Sequence, residues 1–404
     1  MYRLFLVLWL IPSLASGITL KDAEKAAVTS SYRVKGLDAK NQSFDFRKDQ
    51  LTSSLFPKLN LEYSKGRQLQ PEKTGADSAM VEFRANLTNP FSFSAQREQL
   101  SVQQELVSIE KKNERHKIYY DLRMIYFKTK HLEEKTAQAK RHLETVEKIV
   151  AISEKKYTQG RIQVLDKDRS ILERARLKQL IDSLNEDYRG KIEILSLLTG
   201  HKYTSGQLIT SLPDNFDFSF LPPEFKNTIL SKKFAIEVKK ADADLSLERS
   251  KYLPDFYVAY QQSKFDKREK DDRYLVGLTW NLSSERYFAS KSIDMERESH
   301  LFNQQEEQKT GHIDYTKLTT QLKSLLKKLS SQRKIVGAYQ NISKETLKQY
   351  NRGVISLKDY YEDFRLLIVE EDTLLQQRFE AVQLLAQLSF LMEDDSVFYK
   401  GLKL

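Results

Sequence analysis

The chain has 404 residues, a formal net charge of +10, 30% charged residues, 13 glycines, 8 prolines and no cysteine. Without cysteine there is no disulfide framework, no thiolate nucleophile and no Cys-ligated metal. Scarce glycine and proline among many charges favour long helices with solvated faces, and the interleaving of acids with bases argues against a nucleic-acid binder.

Met1 to Gly17 read as an export signal. Arg3 gives a short positive start, Leu4 to Leu14 form an apolar run too short to span a bilayer, and Ala15-Ser16-Gly17 supplies small residues for cleavage. An uncleaved N-terminal anchor is the other reading. With no cysteine near the cleavage region, lipoprotein anchoring is excluded. No later stretch reaches the ~20 apolar residues of a membrane helix, so any membrane insertion must use strands.

Residues 18–200 read as one structural unit. A helix ends at Pro57, which cannot continue its hydrogen-bond ladder. Two strands follow, at about 56–64 and 80–89. Leu59, Leu61 and Tyr63 alternate with Lys58, Asn60 and Glu62, and Val81, Phe83, Ala85 and Leu87 alternate with Glu82, Arg84, Asn86 and Thr88. Ser64 to Ser78 is read as a polar connector. A helix of ~95 Å then runs from about Phe93 to Tyr157. Its seam residues Leu122, Ile125, Thr129, Leu132, Thr136, Ala139, Leu143, Val146, Val150, Ser153 and Tyr157 recur at steps of three and four, the 3.5 period of a coiled coil. Gly160 breaks the rod, and a second helix marked by Leu177, Ile181, Leu184 and Tyr188 returns. The tip of this hairpin is near residue 160.

Residues 201–223 are the least periodic segment, with Pro213, Pro222 and Pro223, and read as a small equatorial connector packed on the helices. Residues 224–404 repeat the first unit. Leu253-Pro254-Asp255-Phe256 answers Phe56-Pro57-Lys58-Leu59, Asn281-Leu282-Ser283 answers Asn86-Leu87-Thr88, and Tyr350-Asn351-Arg352-Gly353 answers Tyr157-Thr158-Gln159-Gly160. Three matches in order, at offsets of 197, 195 and 193, mark an internal duplication. The second copy's strands fall at about 253–263 and 273–283, joined by the polar run Lys264 to Arg273. Its seam runs from Leu318 through Leu322, Leu325, Leu329, Gln332, Val336, Tyr339, Ser343 and Thr346 to Tyr350, and its tip lies near 353.

Six histidines are scattered, and His131 and His142 lie about 16 Å apart along a helix, too far for one metal. No phosphate loop or nucleophile elbow is present. The chain reads as no enzyme, with no cofactor and no metal. The fold class is α+β, mainly α, with long antiparallel coiled-coil hairpins and four strands. A four-stranded sheet cannot close, while membrane barrels must close and start at about eight strands. Either several chains share a barrel, three giving twelve strands, or the strands form a small soluble sheet packed on helices.

In these features the whole mature chain resembles the TolC family of outer membrane factors. The resemblance is carried by the Leu-Phe-Pro-Lys-Leu and Leu-Pro-Asp-Phe strand entries, the exit Asn86 to Phe91, Leu197-Leu198-Thr199-Gly200 at the end of the first half, and the two Tyr-x-x-Gly tips. It implies a homotrimer with a twelve-stranded barrel in outer-membrane lipid and a periplasmic helical tunnel. It implies a passive exit duct of a tripartite efflux or type I secretion system, with a periplasmic adaptor and an inner-membrane transporter as partners. At the periplasmic gate the matching positions are Asp359 and Glu362 for acidic rings, and Tyr350 with Asp166 for a hydrogen-bonded latch. The tips Gly160-Arg161-Ile162 and Gly353-Val354-Ile355 match the adaptor-docking grooves. A basic residue that can reinforce the latch is replaced by Ile355, and the glycines usual after the second strand are replaced by Phe91-Ser92-Phe93-Ser94 and Ser284-Glu285-Arg286-Tyr287. Beside the resemblance, Asp166 also reads as a first-turn helix acid, Glu362 as a solvated residue, and the tips as plain helix–helix turns. A different class, an exported periplasmic coiled-coil scaffold or adaptor with a small soluble β domain, fits the same composition.

Overall fold

The computed structural model describes residues 17–54, 56, 60–70, 73–87, 89–204, 206–221, 225, 228–265, 271–280 and 283–403. The signal region 1–16, the strand entry at 57–59, Thr88, Pro222, Pro223, Asn281 and Leu282 lie outside them.

The duplication is explicit in element lengths. Helix α1 (Leu20–Ser30) precedes α2 (Tyr32–Ser53), and α2 matches α5 (Ile229–Ser250) at 22 residues each. Helices α3 (Pro90–Thr158) and α6 (Ser284–Arg352) both have 69 residues, and α4 (Val164–Thr199) and α7 (Leu357–Met392) both have 36. A short α8 (Asp395–Leu402) follows. Helix starts are chemically marked. Asn89 Oδ1 accepts the Phe91 N–H at 2.9 Å, with Pro90 at the first helical position where its missing N–H costs nothing. Thr228 Oγ1 accepts the Ser231 N–H at 2.9 Å at the start of α5.

Contacts divide the chain into two compact units. Residues 33–113 and 227–310 form one, which contains α2, α5, the start of α3 and α6, and a four-stranded antiparallel sheet. The strands are β1 (Asn60–Gln70), β2 (Lys73–Leu87), β3 (Asp255–Phe265) and β4 (Asp271–Thr279), in that spatial order. Both hairpins extend further than the alternation suggests: β1 and β2 enter the expected connector Ser64 to Ser78, and β3 and β4 enter the run from Lys264 to Arg273. A backbone ladder needs no apolar side chain, so a hairpin continues through polar sequence wherever both faces meet water. β4 ends at Thr279, short of the expected 283.

The register aligns the four alternating patterns. Leu61, Phe83, Tyr260 and Tyr274 occupy one row across the sheet, Ala85, Val258 and Val276 another, and Leu87, Phe256 and Leu278 a third. Rows between them hold Glu62, Glu82, Gln261 and Arg273, or Asn86, Tyr257 and Gly277. Since partners in a ladder share a face, the rows sort into a mainly apolar face, which turns polar at Gln262 and Asp272, and a mainly polar face, which also holds Ala259 and Leu275. On β3 and β4 the apolar face is bare: Phe256 is 50% exposed, Val276 82% and Leu278 61%. On the opposite face Ala259 is buried, and the Tyr257 ring lies over Gly277, where a Cβ would sit 2.3 Å from the ring.

The other unit comprises the described residues to Tyr32, 114–226 and 311–404. It holds the coiled-coil seams. Leu122, Thr129, Leu132, Thr136, Ala139, Val146, Val150 and Ser153 are buried on α3, and Leu322, Leu325, Leu329, Gln332, Val336, Ser343 and Tyr350 on α6. The seam of α3 stops at Ser153, because Tyr157 is 40% exposed where the turn begins to diverge. The irregular segment after Gly200 buries Leu208 and Leu212, bridges Ile18 to Leu208 in parallel, and packs Phe216, Phe218 and Phe220 against the core.

Candidate functional site

Each hairpin tip is a Schellman turn. The Gly160 N–H donates to the Tyr157 carbonyl and the Arg161 N–H to the Lys156 carbonyl, both at 2.8 Å. Gly353 and Val354 repeat this with Tyr350 and Gln349. Gly160 and Gly353 have φ of 69° and 79°, and no atom lies within 4 Å of the site of a Cβ. The left-handed backbone alone therefore demands glycine there. Around the turns Arg161 is exposed and Val354 is 71% exposed, while Ile162 and Ile355 are half-buried. Ile355 packs on the core behind the tip, so the position matching a basic latch residue serves as a hydrophobic plug.

That core is aromatic. Tyr350, Tyr360, Tyr361 and Phe364 are buried, with Tyr360 stacked on Tyr350 and Phe364 at 6.3 and 5.7 Å between ring centres. Burial pushes the Tyr360 phenol up to about 12 and the Tyr361 phenol higher, so both stay protonated at any physiological pH. The Tyr350 hydroxyl lies 3.0 Å from Ser153 Oγ, and Lys156 covers the Tyr350 ring at 3.9 Å while donating to its carbonyl at 2.5 Å. Asp166 lies 3.6 Å from Arg169. Among the described residues no hydrogen bond joins Tyr350 to Asp166; the serine on α3, nearer than the acid on α4, takes the hydroxyl.

Asp359 and Glu362 sit together in the first turns of α7, both exposed. Asp359 closes a capping box with Ser356: Ser356 Oγ accepts the Asp359 N–H at 3.1 Å, and the Asp359 carboxylate accepts from the Ser356 hydroxyl at 2.7 Å and its N–H at 3.2 Å. Those bonds hold the carboxyl below its ordinary range, keeping it ionised. Glu362 lies 3.9 Å from Lys358 on the exposed surface. α4 begins differently: Gln163 makes no side-chain cap. Both tips thus carry two carboxylates in their second helix: Asp359 and Glu362 at the second, three residues apart, and Asp166 and Asp168 at the first, where Arg169 and Lys167 lie 3.6 and 3.9 Å away.

Sequence reading missed a buried charge cluster in the same unit. The Arg123 guanidinium, 2% exposed, donates to Glu24 at 2.6 Å, Ser389 at 2.9 Å and Asp395 at 2.8 Å, and lies over the Phe398 ring at 4.4 Å. The Tyr399 hydroxyl donates to Glu24 at 2.5 Å. Burial raises Glu24 despite the attraction of Arg123. Asp395 is pulled down overall, its burial outweighed by His116 and Arg123. The cluster ties α1, α3, α7 and α8 together. Its one visible signal is an arginine inside the apolar run Leu122 to Phe127. Nearer the tip, Glu371 lies 3.0 Å from His142; burial would raise its carboxyl, but His142, Gln138 and Gln340 hold it down at about 2.

Neither a protein-family model nor a curated protein matches the sequence. Solved structures do. The chain matches CusC, studied for the conformational changes accompanying folding and transmembrane channel formation, at TM-score 0.80 and 14% identity over 92% of this chain and 91% of that one. It matches the outer-membrane channel OprN at TM-score 0.79 and 12% identity, covering 94% and 90% of the two chains. It matches the outer membrane protein VceC of Vibrio cholerae at TM-score 0.77 and 12% identity, covering 93% and 96%. The chain has the fold of these outer-membrane proteins over nearly its whole length.

Proposed function

We propose that this chain is one subunit of a trimeric exit duct in the outer membrane, a passive channel extended through the periplasm by its helices. The sheet carries the reading. It has a bare apolar face on β3 and β4, a more polar opposite face, and two edge strands, β1 and β4. Water penalises the first, and lipid penalises unpaired edges, so the arrangement is stable only when edges of neighbouring copies pair and the apolar face meets lipid. Three copies give twelve strands. β3 and β4 have 11 and 9 residues, about the 9–11 needed to cross the hydrocarbon at a tilt. Tyr274 within β4 and Trp280 just past its end stand exposed at an even spacing, as aromatic side chains do on a lipid-facing strand. Phe288, Met295 and Phe302, exposed on α6 at seven-residue spacing, supply a stripe for a neighbouring helix. The fold shared with outer-membrane channels supports the same reading.

At the periplasmic entrance, three copies of Asp359 and Glu362 form rings that attract cations. Gly160-Arg161-Ile162 and Gly353-Val354-Ile355 offer grooves to the hairpins of a periplasmic adaptor, and an inner-membrane transporter supplies the energy. Tripartite efflux and type I secretion both fit. Detergent-purified protein should run as a trimer and conduct in planar bilayers, and Asp359→Ala with Glu362→Ala should weaken block by divalent cations. A monomeric, non-conducting protein in the periplasmic fraction would instead establish the scaffold reading.

A further inference from the structure

We propose that the duct is electropositive along α6 and favours anionic solutes. This rests on the reading that the second hairpin lines the duct. Between Asp314 and Glu345, α6 carries seven basic residues and no acid. The duplication provides an internal control. The corresponding stretch of α3, shifted by the 193 residues that separate the tip glycines, also has seven basic residues but adds Glu133, Glu134, Glu144 and Glu147. Two of those acids are engaged in ion pairs, Lys130–Glu133 and Arg378–Glu134, both at 2.8 Å. Sign balance was thus kept on one copy of the helix and removed from the other.

The geometry of the surplus is specific. Lys323, Lys327 and Lys334 are exposed, while Leu322, Leu325, Leu329 and Val336 form the buried seam. At 100° per residue the three lysines cluster about 150° away from that seam, on the side directed away from the hairpin's own packing. No acid lies within ion-pairing distance of them among the described residues. Acids on the neighbouring stretch of α7 are committed elsewhere: Glu370 accepts from Gln332, Glu371 faces His142, and Asp372 pairs with Lys135 at 2.5 Å. Glu380 is the exception, lining one groove with Lys328.

A solvated helix face ordinarily mixes signs, because a one-signed stripe repels itself. Around a water-filled duct with low-dielectric walls, the same stripe focuses a positive potential, and rings of lysine favour anion passage. Three copies would place nine such lysines around the conduit, behind an entrance of carboxylates.

The test is the reversal potential of the purified trimer in planar bilayers across a KCl gradient. Lys323→Gln, Lys327→Gln and Lys334→Gln, all at exposed positions, should together lower the chloride-to-potassium permeability ratio by about twofold or more. Because the chain lacks cysteine, Asn341→Cys, exposed one heptad beyond Lys334, gives a single labelling site. A sulfonate-bearing methanethiosulfonate should react there faster than a trimethylammonium one and reduce conductance. A conducting trimer whose permeability ratio is unmoved by the three substitutions overturns the inference and leaves the channel reading intact. Absence of conductance in every variant overturns both.

Discussion

At Arg123 the chain buries a guanidinium, 2% exposed, beside the seam of α3. The cost of its burial is offset by Glu24, Ser389, Asp395 and the Phe398 ring. Removing one partner of a buried charge group leaves the others desolvated and unpaired, a loss of about 3–5 kcal/mol. Arg123→Ala should therefore lower stability by that amount in denaturant titrations of the detergent-purified protein, with Arg123→Met less damaging because it refills the volume. A loss below about 1 kcal/mol would mean that water reaches the cluster. Beyond an arginine inside an apolar run, the cluster was not legible in the sequence, since Glu24 and Asp395 come from distant segments and carry no shared local pattern. The tip glycines were legible, because a helix that reverses direction needs a left-handed residue and the sequence offers one at each reversal. The Tyr350–Asp166 latch was inferred by resemblance, whereas the hydroxyl here meets Ser153. Which serine a tyrosine finds depends on packing between two helices, and no local spacing encodes it.

At the level of elements, the strand faces were the most legible feature. Period-two alternation survives any register that keeps one face apolar, because a one-residue slip would move every side chain to the other face. The lengths of the hairpins were not legible, because their outer parts have no apolar alternation and are held by backbone bonds. The faces make opposite demands on a charge. Val276 lies on the apolar face and Leu275, one residue away at the same depth, on the polar one. Val276→Lys should cost about 2–4 kcal/mol near the bilayer midplane and deplete folded protein from the outer-membrane fraction. Leu275→Lys, on the face that the proposed barrel turns inward, should assemble normally. Equal loss for both would remove the lipid-facing assignment of the sheet.

For the whole molecule, the duplication and the compact units follow different logics. Each repeat is continuous in sequence, yet each unit draws half of its residues from each repeat, because α3 and α6 begin in one unit and end in the other. Helix–strand–strand–helix–helix order was readable from periodicity; the grouping into units was not, since it depends on which segments pack together. What no single chain contains is the partner for its sheet edges, and on that the account stands. In the proposed trimer, β1 of one chain would lie beside β4 of the next, within the roughly 5.5 Å between Cα atoms that a disulfide spans. The natural absence of cysteine makes a scan clean: one cysteine on β1 and one on β4 of the same chain, shifted stepwise along both strands, then oxidation in membranes. The account predicts registers at which chains link into dimers and closed trimers and no further. Monomers at every register, or an open ladder of larger species, would contradict it.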